Sequence, residues 1–281
     1  MVRDAPADAH ATPSLDELRE RAKQIRRNVV RMASGKGEGY VGQGLDVADI
    51  LAVLFLSEMR YDPVDRGPET DRLIYSAGHY SIGLWAALAE AGHLEGYDLA
   101  TYGADGTDLI MSTHEGHPPP IELTGGSLAH GLGVAAGLAL GYRMKGFPAR
   151  VFNFMTDGEV QEGSTWESAM FAAANALENL VCVIDVNRVQ ADGDLVLEIE
   201  PHIDQWRAFG WWADEVDGND VAALLGAFDR ARSVTGRPKA LICRTTLGFG
   251  VPLIMEREKN HFVRVGDDEW DEVARQLEGS G

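Results

Sequence analysis

Residues 151–187 read "VFNFMTDGEVQEGSTWESAMFAAANALENLVCVIDVN", and this stretch decides the fold. Two apolar runs, 151–156 and 180–186, are short enough for strands and end at turn or polar residues. Both are near-continuous rather than alternating, the pattern of strands buried on both faces. Between them, 161–177 has the composition of a helix. A helix between two such strands returns the second parallel to the first. The rest of the chain repeats this alternation. Strands are expected at 72–77 ("RLIYSA") and 239–246 ("KALICRTT"), and helices at 78–92, 127–146 and 220–234. The expected class is α/β, a mostly parallel sheet with helices on both faces.

Working toward the N-terminus, "SLDELRERAKQIRRNVVRMAS" (14–34) reads as a helix: Ser14 and Glu17 form a capping-box signature, and Leu18, Ala22, Ile25, Val29 and Met32 recur at helical spacing. It runs into "GEGYVG" (37–42), which satisfies G-x-G-x-x-G. A dinucleotide fingerprint needs a strand there, so a helix before the glycines excludes that reading. The loop reads instead as a flexible channel wall. "DVADILAVLFLSEM" (46–59) is a second helix with Asp46 as its N-cap. The stretch 103–126, with two histidines and three consecutive prolines, is an extended loop.

The 281 residues, 45% of them hydrophobic, are ample for a buried core. A net charge of −19 with no basic stripe argues against nucleic-acid binding. The apolar run 131–142 is too short to span a bilayer. Cys182 and Cys243 lie in apolar strands and suggest neither a disulfide framework nor a zinc site, so a cytoplasmic location is expected. Residues 1–13 and 277–281 read as disordered tails, and 14–281 as the domain.

Ligands of a parallel sheet sit beyond the carboxyl ends of its strands. Two such ends carry Asp157 and Asn187, and the Val189 carbonyl can add a third oxygen. Hard oxygen donors with one charge suit Mg²⁺ or Ca²⁺, and Gly158 lets a diphosphate approach the backbone. Taken alone, an Asp-Gly after a strand is also an ordinary turn.

The pair at this separation resembles the diphosphate-binding motif of thiamine diphosphate enzymes, and 156–193 resembles the corresponding block of transketolases. The resemblance extends across 14–262, through "SAGHYSIGLWAAL", "EGHPPPIELTGGSLAHGL", "WRAFGWWADEVDGND" and "ICRTTLGFGVPLIMEREKNH". It implies a thiamine diphosphate-binding fold with Mg²⁺ (or Ca²⁺) on Asp157, Asn187 and Val189. It further implies cofactor contacts from His79, Gly126, Leu128, Gly158, Glu159 and His261. His117, with His114 as second candidate, would face a sugar-like substrate, and Glu162 would be an interface carboxylate linking cofactor sites. Tyr40 stands where transketolases usually have a histidine, which points to a changed substrate in a specialised biosynthetic pathway. The glutamate that activates the cofactor's pyrimidine has no counterpart here. The resemblance therefore implies the N-terminal subunit of a split transketolase. A separate C-terminal pyrimidine-binding subunit would complete it, as heterodimer or heterotetramer, for two-carbon ketol transfer from a ketose phosphate to an aldehyde. The alternatives are a subunit of a 2-oxo acid dehydrogenase or decarboxylase, and a non-catalytic partner subunit.

Overall fold

The computed structural model describes residues 13–279 except Pro119, Pro120, Asp192 and Lys259. The expected N-terminal tail therefore lies outside the described residues apart from Pro13. Helix α1 (Leu15–Lys36) starts at the capping box, where Ser14 and Glu17 bond reciprocally, and stops at Gly37 in the left-handed region, φ 81°. Its apolar stripe, Leu18, Ala22, Ile25, Val29 and Met32, is buried as its periodicity requires.

Five strands form one parallel sheet: β1 (Arg72–Tyr75), β2 (Val151–Thr156), β3 (Leu180–Val186), β4 (Trp212–Asp217) and β5 (Lys239–Arg244), in the order β1-β2-β3-β5-β4. Alternate side chains feed two cores. Phe152, Phe154 and Val183 face the layer of α1, α3 (Ala48–Val53), α4 (Ser81–Glu90) and α9 (Val221–Arg232). Val151, Met155 and Ile184 face α5 (His130–Lys145) and α7 (Gly163–Ala174). Cys182 and Cys243 are both buried and free, in cores on opposite faces.

The structure departs from the sequence reading in three places. The first is β4, an edge strand whose Asp214, Glu215 and Asp217 broke the apolar pattern used to find the others. The second is 41–58, a short helix α2 (Val41–Asp46), then α3, then a π-helical turn Leu54–Glu58. Asp46 closes α2 rather than capping a helix start, and it is fully buried. The "GEGYVG" segment is packed rather than flexible. Glu38–Gly39 pairs antiparallel with Val263–Arg264, and a Cβ on Gly42 would stand 2.9 Å from Leu247 Cγ. The third is the C-terminus, where α11 (Trp270–Gly279) packs on α1 and buries Val273 and Leu277 in place of a tail. Among the described residues no helix is long and apolar enough to cross a membrane.

Leu277→Ala should lower stability by about 2–4 kcal/mol in urea unfolding. A loss under about 0.5 kcal/mol, the size of an ordinary surface change, would mean the segment is not docked.

Candidate functional site

Thr156 and Asp185 are register partners in neighbouring strands, so Asp157 and Asn187 emerge side by side. A direct contact joins the two ends: the Arg188 N–H donates to Asp157 Oδ2 at 2.7 Å, with Arg188 held at φ 63°. The Val189 N–H donates to Asn187 Oδ1 at 3.0 Å. Asn187 Nδ2 lies 3.0 Å from Asp46 Oδ2, from Asp185 Oδ2 and from the Tyr80 hydroxyl. Burial pushes Asp157 up to about 6 against the Arg188 and Gly158 amides that favour its charge.

These residues fit a hard cation. Asp157 is a buried carboxylate whose charge a divalent ion would stabilise, and Asn187 Oδ1 keeps a lone pair beyond its single backbone bond. No group of three His, Cys, Asp or Glu side chains able to hold a metal occurs among the described residues. The donors on offer, carboxylate, amide and carbonyl oxygen, would suit Mg²⁺ or Ca²⁺ better than zinc.

Above the strand ends is a cavity of about 550 Å³. Of the sequence-predicted residues, Tyr40, His79, Gly126, Leu128, Asp157, Gly158, Glu162, Val189 and His261 line it. Tyr80, Gln161, Gln190, Val196 and Leu197 line it too, with no sequence signal that marked them. His79 is placed by the turn after β1, where the Gly78 backbone abuts Gly125 so closely that a Cβ would come within 2.4 Å. The Tyr40 ring meets His79, His261 and Phe262 edge-on at 5.2, 5.4 and 5.1 Å. His79 and His261 stack at 5.9 Å. Burial, then the neighbouring His261, pull His79 down to about 4, so it is neutral at pH 7. A larger cavity of about 700 Å³, walled by α1, α3 and α9, holds the buried Arg26–Asp49 ion pair and none of the strand-end residues.

Four predicted residues do not line the cavity. Asn187 sits behind Asp157, only 7% exposed. Glu159 is fully buried and acts as a brace, not a cavity wall. Its carboxylate accepts the Ala129 N–H at 2.9 Å, the Thr156 N–H at 3.0 Å and the Ser76 hydroxyl. Burial still pushes it up to about 7. His114 and His117 stand outside, on the loop before α5. His117 Nδ1 is 3.0 Å from Asp108 Oδ1, and His114 Nδ1 is 3.2 Å from the Glu115 carbonyl. That loop is tied to the cavity rim by the Thr113 N–H on the Gly78 carbonyl, 3.0 Å.

Comparison with known proteins follows the same lines. Residues 18–279 match the family model described as transketolase, thiamine diphosphate binding domain. A transketolase family protein of Sinorhizobium fredii is 47% identical over 92% of this chain and 94% of its own length. An apulose-4-phosphate transketolase subunit of Actinobacillus succinogenes is 36% identical over 91% of this chain and 94% of its own. The solved transketolase of Leishmania mexicana superposes with a TM-score of 0.81 at 26% identity, covering 95% of this chain and 42% of that one.

Two outcomes are expected. In an NMR titration His79 should have its midpoint near 4, and stability should fall as pH drops from 6.5 through that value, because folding depresses this pKa. A midpoint near 6.5, the ordinary histidine value, would contradict the buried placement. Glu159→Ala, which strands three donors, should cost at least about 2 kcal/mol in urea unfolding. A loss below about 0.5 kcal/mol would refute the brace.

Proposed function

We propose a function from one premise: the chain belongs to the transketolase family, as a thiamine diphosphate-binding domain. In this reading it is one half of a two-component transketolase. It binds thiamine diphosphate with Mg²⁺, and with a pyrimidine-binding partner it transfers a two-carbon ketol unit from a ketose phosphate to an aldehyde. The observation that carries the reading is the cavity over two linked strand ends, with oxygen donors at its floor and His79, held neutral, beside His261 in its wall. The Actinobacillus relative, matched over nearly its whole length and itself named as one subunit, supports the two-component form.

Bound thiamine diphosphate supplies the carbon nucleophile that a protein side chain does not offer. The chain's own residues hold and position. Asp157, Asn187 Oδ1 and the Val189 carbonyl hold the cation. Gly158 leaves the backbone open to the diphosphate, and Gly126 and Leu128 form the opposite wall. His79, uncharged at rest, and His261 exchange protons with hydroxyl groups at the reacting carbons. His117, oriented by Asp108, and His114 stand on the outer loop, where substrate enters. Glu162 on the rim meets the partner, which supplies the acid that hydrogen-bonds the aminopyrimidine. Tyr40, packed edge-on against both histidines, narrows the place usually given to a histidine and changes substrate preference. Two free buried thiols on opposite sheet faces fit a reducing cytoplasm.

Mixed with its partner, thiamine diphosphate and Mg²⁺, the chain should transfer two-carbon units and release no carbon dioxide from 2-oxo acids. Asp157→Ala should lower the rate at least ~100-fold. Carbon dioxide release without ketol transfer would favour a decarboxylase subunit. Assembly with the partner unaffected by Asp157→Ala, and no cofactor binding by wild type, would favour a non-catalytic subunit. Tyr40→His should shift the ratio of kcat/KM values between substrates; an unchanged ratio would refute its role in selection.

A further inference from the structure

We infer that Asp46 is a positioning residue for the cation site, holding the Asn187 side-chain amide so that Oδ1, not Nδ2, faces the ion. The inference rests on the reading of Asp157, Asn187 and Val189 as ligands.

An Asn amide has one acceptor oxygen and two N–H donors, and its two orientations differ only in what surrounds each end. Here the surroundings decide. One end meets the Val189 N–H at 3.0 Å, which requires oxygen. The other meets Asp46 Oδ2 and Asp185 Oδ2, each at 3.0 Å, which requires nitrogen. The Tyr80 hydroxyl, also 3.0 Å from Nδ2, is a third acceptor at that end. The two amide hydrogens are thus shared among three acceptors, two carboxyl oxygens and one hydroxyl. Asp185 is fixed in turn by the Thr245 hydroxyl. Remove Asp46 and the amide hydrogens are left to Asp185 and the Tyr80 hydroxyl alone, so the amide is freer to tilt and carry its oxygen away from the ion.

Asp46 reaches this point from α2, 141 residues away in sequence. Stability alone does not explain a carboxylate there. Its other oxygen, Oδ1, is buried with no hydrogen-bond partner among the described residues, and the nearby Arg26 pairs with Asp49 instead. A buried acceptor left unpaired is destabilising, so an apolar side chain of the same outline would suit the core better. What the carboxylate supplies is the fixed direction of Asn187. Partners that orient a metal ligand typically change affinity 10–100-fold when lost.

The test measures Mn²⁺ affinity of the full chain with thiamine diphosphate, from the electron paramagnetic resonance signal of free Mn²⁺. Circular dichroism confirms that each variant is folded. Asp46→Leu keeps the outline and removes the acceptor, and should weaken Mn²⁺ binding about 10–100-fold. Asp46→Asn keeps a carbonyl oxygen and should recover most of that loss. Should Asp46→Leu not fold, Asp46→Ser, too short to reach Nδ2, should show the same weakening. A folded Asp46→Leu or Asp46→Ser with wild-type affinity would overturn the inference. So would an Asp46→Asn variant as weak as Asp46→Leu, because charge rather than direction would then be at work. Asn187→Ala separates the two levels: retained binding there would overturn the ligand assignment itself.

Discussion

The Glu159 carboxylate gathers three donors from three parts of the chain: the Ser76 hydroxyl after β1, the Thr156 N–H at the end of β2, and the Ala129 N–H at the start of α5. Ala129 is held at φ 65°, a conformation that a residue with a Cβ keeps only where its surroundings demand it. Ser76 passes the constraint on, accepting the Gly131 N–H at 3.0 Å, and a Cβ on Gly131 would fall 2.3 Å from Ser76 Cβ. His79, Gly126, Leu128 and Asp157 each lie within three residues of one of these anchor points. The relative placement of the cavity walls is therefore set by one buried side chain that never reaches the cavity. Burying the charge raises its pKa toward neutrality even with three donors on it, which shows how dry the site is.

Around that brace the polar interior divides into two parts with different tasks. Under the cavity, burial and then the neighbouring Asp185 and Asp157 raise the pKa of Asp46, and burial and Asp157 raise that of Asp185 to about 7. A divalent cation reverses that tendency by making the ionised forms favourable together. In the wall, burial keeps His79 neutral beside His261, and Tyr40 adds bulk without charge. One region gathers acidic groups and the other neutral rings.

Much of this was legible in the sequence because it is local. Strands buried on both faces read as continuous apolar runs, and the placing of Asp157, Asn187 and Val189 at the carboxyl edge of the sheet follows from where those runs stop. The misses were non-local. Asp46 looks like a helix cap to its neighbours, and only the return of Asn187 beside it reveals its partner. Glu159 sits next to two cavity residues in sequence, yet the first turn after β2 aims it the other way, at Ser76 and Ala129. Strand β4 was hidden because an edge strand keeps charged residues on its open side. His114 and His117 occur in a stretch without periodicity, so nothing in the sequence could say on which side of the rim the loop would lie.

The central claim is that the cofactor's diphosphate and its cation sit at the joined ends of β2 and β3. Paramagnetic broadening of backbone amide NMR signals by Mn²⁺, with thiamine diphosphate present, tests it most directly. Broadening is expected to centre on the amides of Gly158, Arg188 and Val189, to fade toward α11 and to be absent in Asp157→Ala. Broadening centred instead on the larger cavity beside Arg26 and Asp49, or surviving unchanged in Asp157→Ala, would contradict it.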